Sequence, residues 1–273
     1  MEKKPIKISG RQRLLAYFRN GRIPSEEHYN DLINSMVHKD DDGFSKDKEN
    51  GLKIYPDESS CNLVSFYKDV NSIDPFFFIA KDKASPDSLK LQPFIKSAPK
   101  NGADSTGIFF HINGKLGIGK KCDDRYKMDV NGFIGMSGRI GTFKASKDNV
   151  PANGKWQTII EHLQNGQAFE IIARTGKVGK NKCAIMHATA LSVFGPRGGR
   201  IRKTNAYYGS FWKFWDRLSL RWHKEDDSKS YCLQIKSCSN YGKGVEIYYT
   251  ITRLWDDRLF MGKDYYHSES TNQ

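Results

Sequence analysis

No stretch of this chain approaches the roughly 18 consecutive apolar residues that cross a bilayer, and its charged opening, MEKKPIKISGRQR, leads into no apolar segment. We therefore expect neither a membrane-spanning protein nor a signal-peptide precursor. Cysteine is scarce and unpatterned. Cys61, Cys122, Cys183, Cys232 and Cys238 are odd in number and form no CxxC pair, so neither a zinc ribbon nor a disulfide framework is signalled. The thiols read as reduced, in a protein made in the cytoplasm. The seven histidines are scattered, with no HExxH and no adjacent metal pair, and the nucleophile elbow GxSxG is missing. Alternation of strand and helix patterns is absent too, which disfavours doubly wound and βα-barrel enzymes.

Near misses in the chemical motifs deepen that picture. Gly114-Lys115-Leu116-Gly117-Ile118-Gly119-Lys120-Lys121 almost fits GxxxxGK[ST]. A phosphate-binding loop of that type needs a hydroxyl after its lysine and a helix behind it, yet Lys121 holds the hydroxyl position and CDDRYKMDVNG continues as a polar, strand-like segment. The acidic run Asp40-Asp41-Asp42 lacks the alternate spacing of a calcium loop and reads as a solvated linker. Adjacent carboxylates such as Asp226-Asp227 and Asp256-Asp257 would point to opposite faces of a strand. His187 sits in an apolar alternation, where a hydrogen-bonded core histidine is expected. We expect no enzyme, no cofactor and no metal.

What the chain does contain is aromatic and basic. Aromatics make up 12% of its 273 residues, which argues against disorder. The net charge of +13 is distributed unevenly, from zero over residues 1–60 to +5 over 61–149 and +8 over 150–273. Such a bias favours an anionic partner without naming one. Residues 9–38 carry the helical signals. Ser9 is a candidate cap for a first helix that stops at Gly21, while Pro24 and Ser25 open a second with Glu26 and Glu27 in its first turn. Tyr29, Leu32, Ile33 and Met36 recur at i, i+3, i+4, i+7. That stripe is too short to hold a helix alone and must pack on this chain or on copies of it.

From residue 51 the period shifts towards two. Candidate strands cover 63–67, 76–80, 108–112, 128–130 and 138–143, with Asn113-Gly114 and Asn131-Gly132 as turn dipeptides. Alternation is cleaner in the last third: Phe169, Ile171, Ala173; Ile185, His187, Thr189, Leu191, Val193; Leu218, Leu220, Trp222; Tyr231, Leu233, Ile235; Val245, Ile247, Tyr249, Ile251. We expect a mainly β protein: short N-terminal helices for attachment (1–50), a Gly-rich β middle serving as shaft or connector (51–150), and a C-terminal antiparallel β-sandwich head (151–273). The densest chemistry is Arg197, Arg200, Arg202 and Lys203 followed by seven aromatics over 207–222, among them Trp212 and Trp215. Arginine forks beside rings could hold single-stranded nucleic acid or an anionic sugar. Alternatively, so many rings form core or a subunit seam with the arginines at its rim. The glycines among the arginines suggest a loop at one end of the sandwich.

Residues 116–132 read Leu-Gly-Ile-Gly, a short polar insert, then Tyr126-Lys127-Met128-Asp129-Val130-Asn131-Gly132. This resembles the LGIG…YKLDVNG signature of phage tail fibres and related adhesive fibres, with Met128 in place of leucine. The segment Ile23 to Lys39, IPSEEHYNDLINSMVHK, is similar to the start of structural proteins in phages and contractile injection systems. The resemblance implies a homotrimer assembled through the Tyr29, Leu32, Ile33, Met36 stripe. It implies partners among tail, baseplate or tube proteins and a destination in a virion or phage-tail-like particle. A function as a tail fibre or baseplate accessory follows, with an anionic cell-surface glycan as a possible target of the head. The alternative is a free carbohydrate- or nucleic-acid-binding β-sandwich module. Fibres of this kind often end in a self-cleaving Ser-Lys domain, for which the remaining length has no place.

Overall fold

In a computed structural model, the structure describes residues 9–38, 41–56, 60–82, 85–96, 106–143, 149–177, 182–208, 215–225 and 230–261. The protein is mainly β and divides into two compact units, Met1–Ile134 and Gly135–Gln273.

The N-terminal unit begins with α1 (Arg11–Tyr17) and α2 (Glu26–Asn34). Gly10, and not Ser9, is the N-cap of α1. Ser9 instead donates its N–H to Ser35 Oγ at 2.9 Å and its hydroxyl to Asp31 at 3.1 Å. Ser25 does cap α2, and its N–H donates to His28 Nδ1 at 3.1 Å. Tyr17 stacks on His28 and Phe18 meets Tyr29 edge-on, but neither helix has a buried residue. A hairpin of β1 (Phe44–Asp47) and β2 (Gly51–Ile54) follows. Its turn is closed by Asp47, which accepts from Asn50 N–H at 2.6 Å, while Lys53 pairs with the same carboxylate and holds it down at about pKa 2.

A six-stranded sheet then runs in chain order: β3 (Asn62–Phe66), β4 (Phe77–Asp82), β5 (Ser85–Pro93), β6 (Ile108–His111), β7 (Lys115–Ile118) and β8 (Met128–Val130). All pairs are antiparallel except β7 with β8, which run parallel. Strand β7 occupies the segment that nearly fits a phosphate loop. Among the described residues of this unit, Ala80 and Phe109 are the buried hydrophobics, whereas Ser9, Asp82, Ser88 and Lys90 are buried polar groups. So thin an apolar centre leaves the unit short of the burial that offsets chain entropy.

The C-terminal unit contrasts with it. Strands β9 (Val150–Pro151), β10 (Gln157–Leu163), β11 (Gln167–Gly176), β12 (Cys183–Ser192), β13 (Arg200–Tyr208), β14 (Leu218–Lys224), β15 (Tyr231–Ser237) and β16 (Glu246–Asp256) end in a short helix, α3 (Asp257–Phe260). They form a five-stranded sheet ordered β13-β12-β11-β16-β9 and a three-stranded sheet ordered β10-β15-β14. One apolar cluster draws on both sheets, with Phe169, Ile171, Met186, Leu218, Leu233, Ile235 and Ile247 fully buried. An aromatic series runs through it, from Phe143 to Phe169, Trp222 and Tyr231, with centroids 5.3–6.4 Å apart. The polar ends of these rings are satisfied: Trp222 Nε1 donates to Leu191 O at 3.0 Å, and Tyr231 OH to Asn165 O at 2.6 Å. This is the partnered burial that amphipathic rings require.

Residues 138–143, expected as a strand, instead form an irregular strap of this unit. Thr142 bridges Ile251, and Phe143 N–H donates to Ile251 O at 2.9 Å. Strand β12 also departs from expectation. Its buried face is Ala184, Met186, Ala188 and Ala190, while Ile185, His187 and Leu191 are exposed. His187 is therefore not a core residue; its Nε2 lies 3.1 Å from Glu170 Oε1 on the outer face of the five-stranded sheet. Both faces of β12 are apolar, and the face of small side chains is the one that fits against the bulky core.

Candidate functional site

Arg197 sits in a 3-10 turn, Pro196–Gly198, but Arg200, Arg202 and Lys203 belong to β13, an edge strand of the five-stranded sheet. The basic group is thus not a loop, as its glycines suggested. Gly195 has φ +84, and a Cβ on Gly199 would collide with the Trp222 indole. The glycines serve the turn and a close ring contact. Period two then splits the basic residues between faces. Lys203 shares the inward register of Ile201, Asn205 and Tyr207, and its ammonium donates to Ser219 Oγ at 2.6 Å. Asn205 accepts from Leu218 N–H at 3.0 Å, and Ile201 and Tyr207 pack on the core.

Arg200 and Arg202 take the outward register with Thr204 and Ala206 and are exposed. In the ladder, Arg202 stands opposite Thr189, which is opposite Glu170; Arg200 is opposite Leu191. The outer face of this sheet therefore mixes Arg200, Arg202 and Arg174 with exposed Ile172, Ile185, Leu191 and Tyr248. Glu170, an acid on this face, is held by Arg139 and His187.

Trp212 lies outside the described residues. Trp215 is 64% exposed just ahead of β14, whereas Trp222 is core. Arg221 lies 4.4 Å over the Trp156 ring, with Lys236 at 4.6 Å. The described aromatics of 207–222 thus divide between core and surface.

The stripe on α2 is open. Tyr29, Ile33 and Met36 are exposed and Leu32 is half-buried; Met36 lies beyond the helix end at Asn34. Leu15, Ile23 and Val37 add to this apolar surface.

The glycine signature acquires a physical reason. Leu116 N–H donates to Lys127 O and Asn131 N–H to Ile118 O, both at 2.9 Å, which clamps β8 alongside β7. The connecting loop folds back so tightly that a Cβ on Gly117 would strike Lys120 O and come within 2.8 Å of Cys122 N; Gly119 has φ +69. Charges close the loop. Arg125 forks onto Asp123 through two 2.9 Å bonds, and Lys120 pairs with Asp129 at 2.8 Å. These partners hold both carboxyls below the usual range. Lys121 pairs with Asp82 at 2.8 Å and Lys115 with Asp124. A cavity of about 490 Å³ opens here, lined by side chains of β5, β6, β7 and the loop. Residue-by-residue reading missed this convergence, although the glycine-lysine run marked the place.

Among the described residues no group of three or more His, Cys, Asp or Glu could hold a metal ion, and no helix is long and apolar enough to cross a membrane. Comparison with protein-family models, with curated proteins and with solved structures gives no match.

Proposed function

We propose that this protein is a non-enzymatic structural or adhesive component of a phage-tail-like particle, a tail fibre or a baseplate or tube accessory. It works as a homotrimer whose C-terminal unit is a two-sheet β-sandwich head. The observation that carries this reading is the uneven placement of apolar surface. The C-terminal unit has a full core, while among its described residues the N-terminal unit buries Ala80 and Phe109 as its apolar centre and leaves Leu15, Ile23, Tyr29, Ile33 and Met36 exposed. Apolar surface of this extent on helices without a buried residue calls for other subunits. A ring of three closes the deficit with one repeated interface. Three heads then multiply weak contacts through effective concentration, and Arg200 and Arg202 on an open edge strand suit an anionic glycan.

Light scattering of the full chain tests the assembly. A trimer that dissociates on I33D/M36D substitution is expected; a folded monomer at micromolar concentration refutes the reading. Exposed Trp215 keeps a second reading in play, a free carbohydrate- or nucleic-acid-binding module. That reading requires a monomer whose binding to single-stranded DNA or to an acidic glycan falls with Trp215→Ala.

A further inference from the structure

The cavity beside the glycine signature has a chemistry that the assembly reading does not use. Ser85 and Ser88 contribute hydroxyls 3.0 Å apart, of which one can donate to the other and leave a second hydrogen free. Asn113 N–H donates to His111 Nδ1 at 3.2 Å, which puts the proton of the neutral ring on Nε2 and makes it a donor. Lys115 and Lys121 add two ammonium groups from the two ends of the Lys-Leu-Gly-Ile-Gly-Lys-Lys run. The lining thus combines these donors with two carboxylates, Asp124 and Asp123, the latter engaged by Arg125.

The acids opposing these lysines are unequal. Asp82, which holds Lys121, has a side chain only 7% exposed and is fixed in place. Asp124, which holds Lys115, is 96% exposed, while Lys115 itself is 15% exposed. A lysine whose side chain is mostly buried is therefore paired with a carboxylate that sits almost wholly in water. Asp124 can swing away at little cost once another anion takes its place on Lys115.

The geometry points to a site for the phosphate group of a small molecule at Lys115, capped in the free protein by the chain's own Asp124. The phosphate oxygens replace the Asp124 carboxylate on Lys115 and accept from His111 Nε2–H and the one serine hydroxyl whose hydrogen is free. At about 490 Å³ the cavity is larger than one phosphate needs and falls in the ordinary range of ligand pockets, so a phosphate monoester fits better than the free ion. This is not a nucleotide loop: the glycine run is a strand, β7, followed by a tight loop, and its lysines act from their side chains. The site does not depend on the particle reading.

Calorimetric titration of the full-length protein at constant ionic strength, with inorganic phosphate and with glucose 6-phosphate, tests it. Saturable binding is expected for both, tighter for the monoester; equal affinities would assign the site to the free ion. Asp124→Asn removes the internal competitor and should tighten binding roughly threefold or more, the worth of an exposed ion pair. Lys115→Met should abolish it. Lys224→Ser removes the same charge from an exposed position of the other unit and should bind like the wild type. Because Asp124 is solvent-exposed, its substitution tests the idea even if Lys115→Met does not fold. Binding by Asp124→Asn no tighter than wild type overturns the proposal, as does a loss in Lys224→Ser equal to that in Lys115→Met, which would reveal general attraction to a basic chain.

Discussion

Substitution of Gly141 by alanine isolates the role of the strap that precedes β9. A Cβ there would fall well inside van der Waals contact with the Ile251 carbonyl carbon and oxygen and with Thr252 Oγ1. Two of these are backbone atoms of β16, in the middle of a sheet, so the strap must yield. Its detachment breaks the Phe143 N–H bond to Ile251 O and separates Phe143 from Phe169, whose rings stack at 5.3 Å, and from Arg253, which lies 4.9 Å over the ring. The hydrogen bond is worth about 1 kcal/mol, the aromatic contact about 1 kcal/mol, and re-exposed apolar area about 1–2 kcal/mol. A loss of about 3–4 kcal/mol should lower the melting temperature of the unit by about 10 °C or more. Trp156, Trp212, Trp215, Trp222 and Trp255 are the chain's five tryptophans, and all fall within residues 135–273, so tryptophan fluorescence reports this unit alone. Gly138 provides the control, because nothing lies within 4 Å of a Cβ placed there. Gly138→Ala should leave the melting temperature unchanged or slightly raised. A Gly141→Ala melt within about 2 °C of that control would refute the packing argument.

Two further outcomes follow from the structure. Ala188 is buried and Ile185 exposed on the same strand, so Ala188→Leu should cost about 1–3 kcal/mol by overpacking and Ile185→Ser at most about 0.5 kcal/mol in the isolated chain, read from denaturant midpoints; the reverse order would put the other face inside. In the signature loop, Asp123 is held below the usual range by Arg125 and Asp129 by Lys120. Their folded pKa values lie under the unfolded ones, so their contribution is complete above about pH 4 and is lost as pH falls through the depressed values. Backbone NMR shifts of residues 115–132 should therefore stay constant from pH 7 to about pH 5 and change only in stronger acid. Movement between pH 7 and 5 would show that these pairs do not hold the loop.

The sequence by itself determined the fold class and most of the inward faces. In β14 and β15 the large apolar side chains recur on one face against smaller or polar residues on the other and are the ones buried; β11 and β16 turn Phe169, Ile171, Ala173, Ile247 and Ile251 inward by alternation, though each also exposes a large apolar residue, Ile172 and Tyr248. The start of α2 was legible from Ser25 and the acids behind it, because capping is a local interaction. Strand β12 was not, since Ala-Met-Ala-Ala opposes Ile-Leu, and period two separates two apolar faces without saying which one meets the core. That choice rests on the space left beside Phe169 and Trp222, a property of the assembled sheets. The same holds for Arg200, Arg202 and Lys203. Their glycine neighbours marked a turn, but only pairing with β12 made them an edge strand and set exposed Lys203 towards Ser219 while the two arginines took the opposite face. The cavity at Lys115 and Lys121 is tertiary in the strictest sense. Its serines, histidine and lysines come from three strands and a loop, and no spacing along the chain encodes the point in space where they meet.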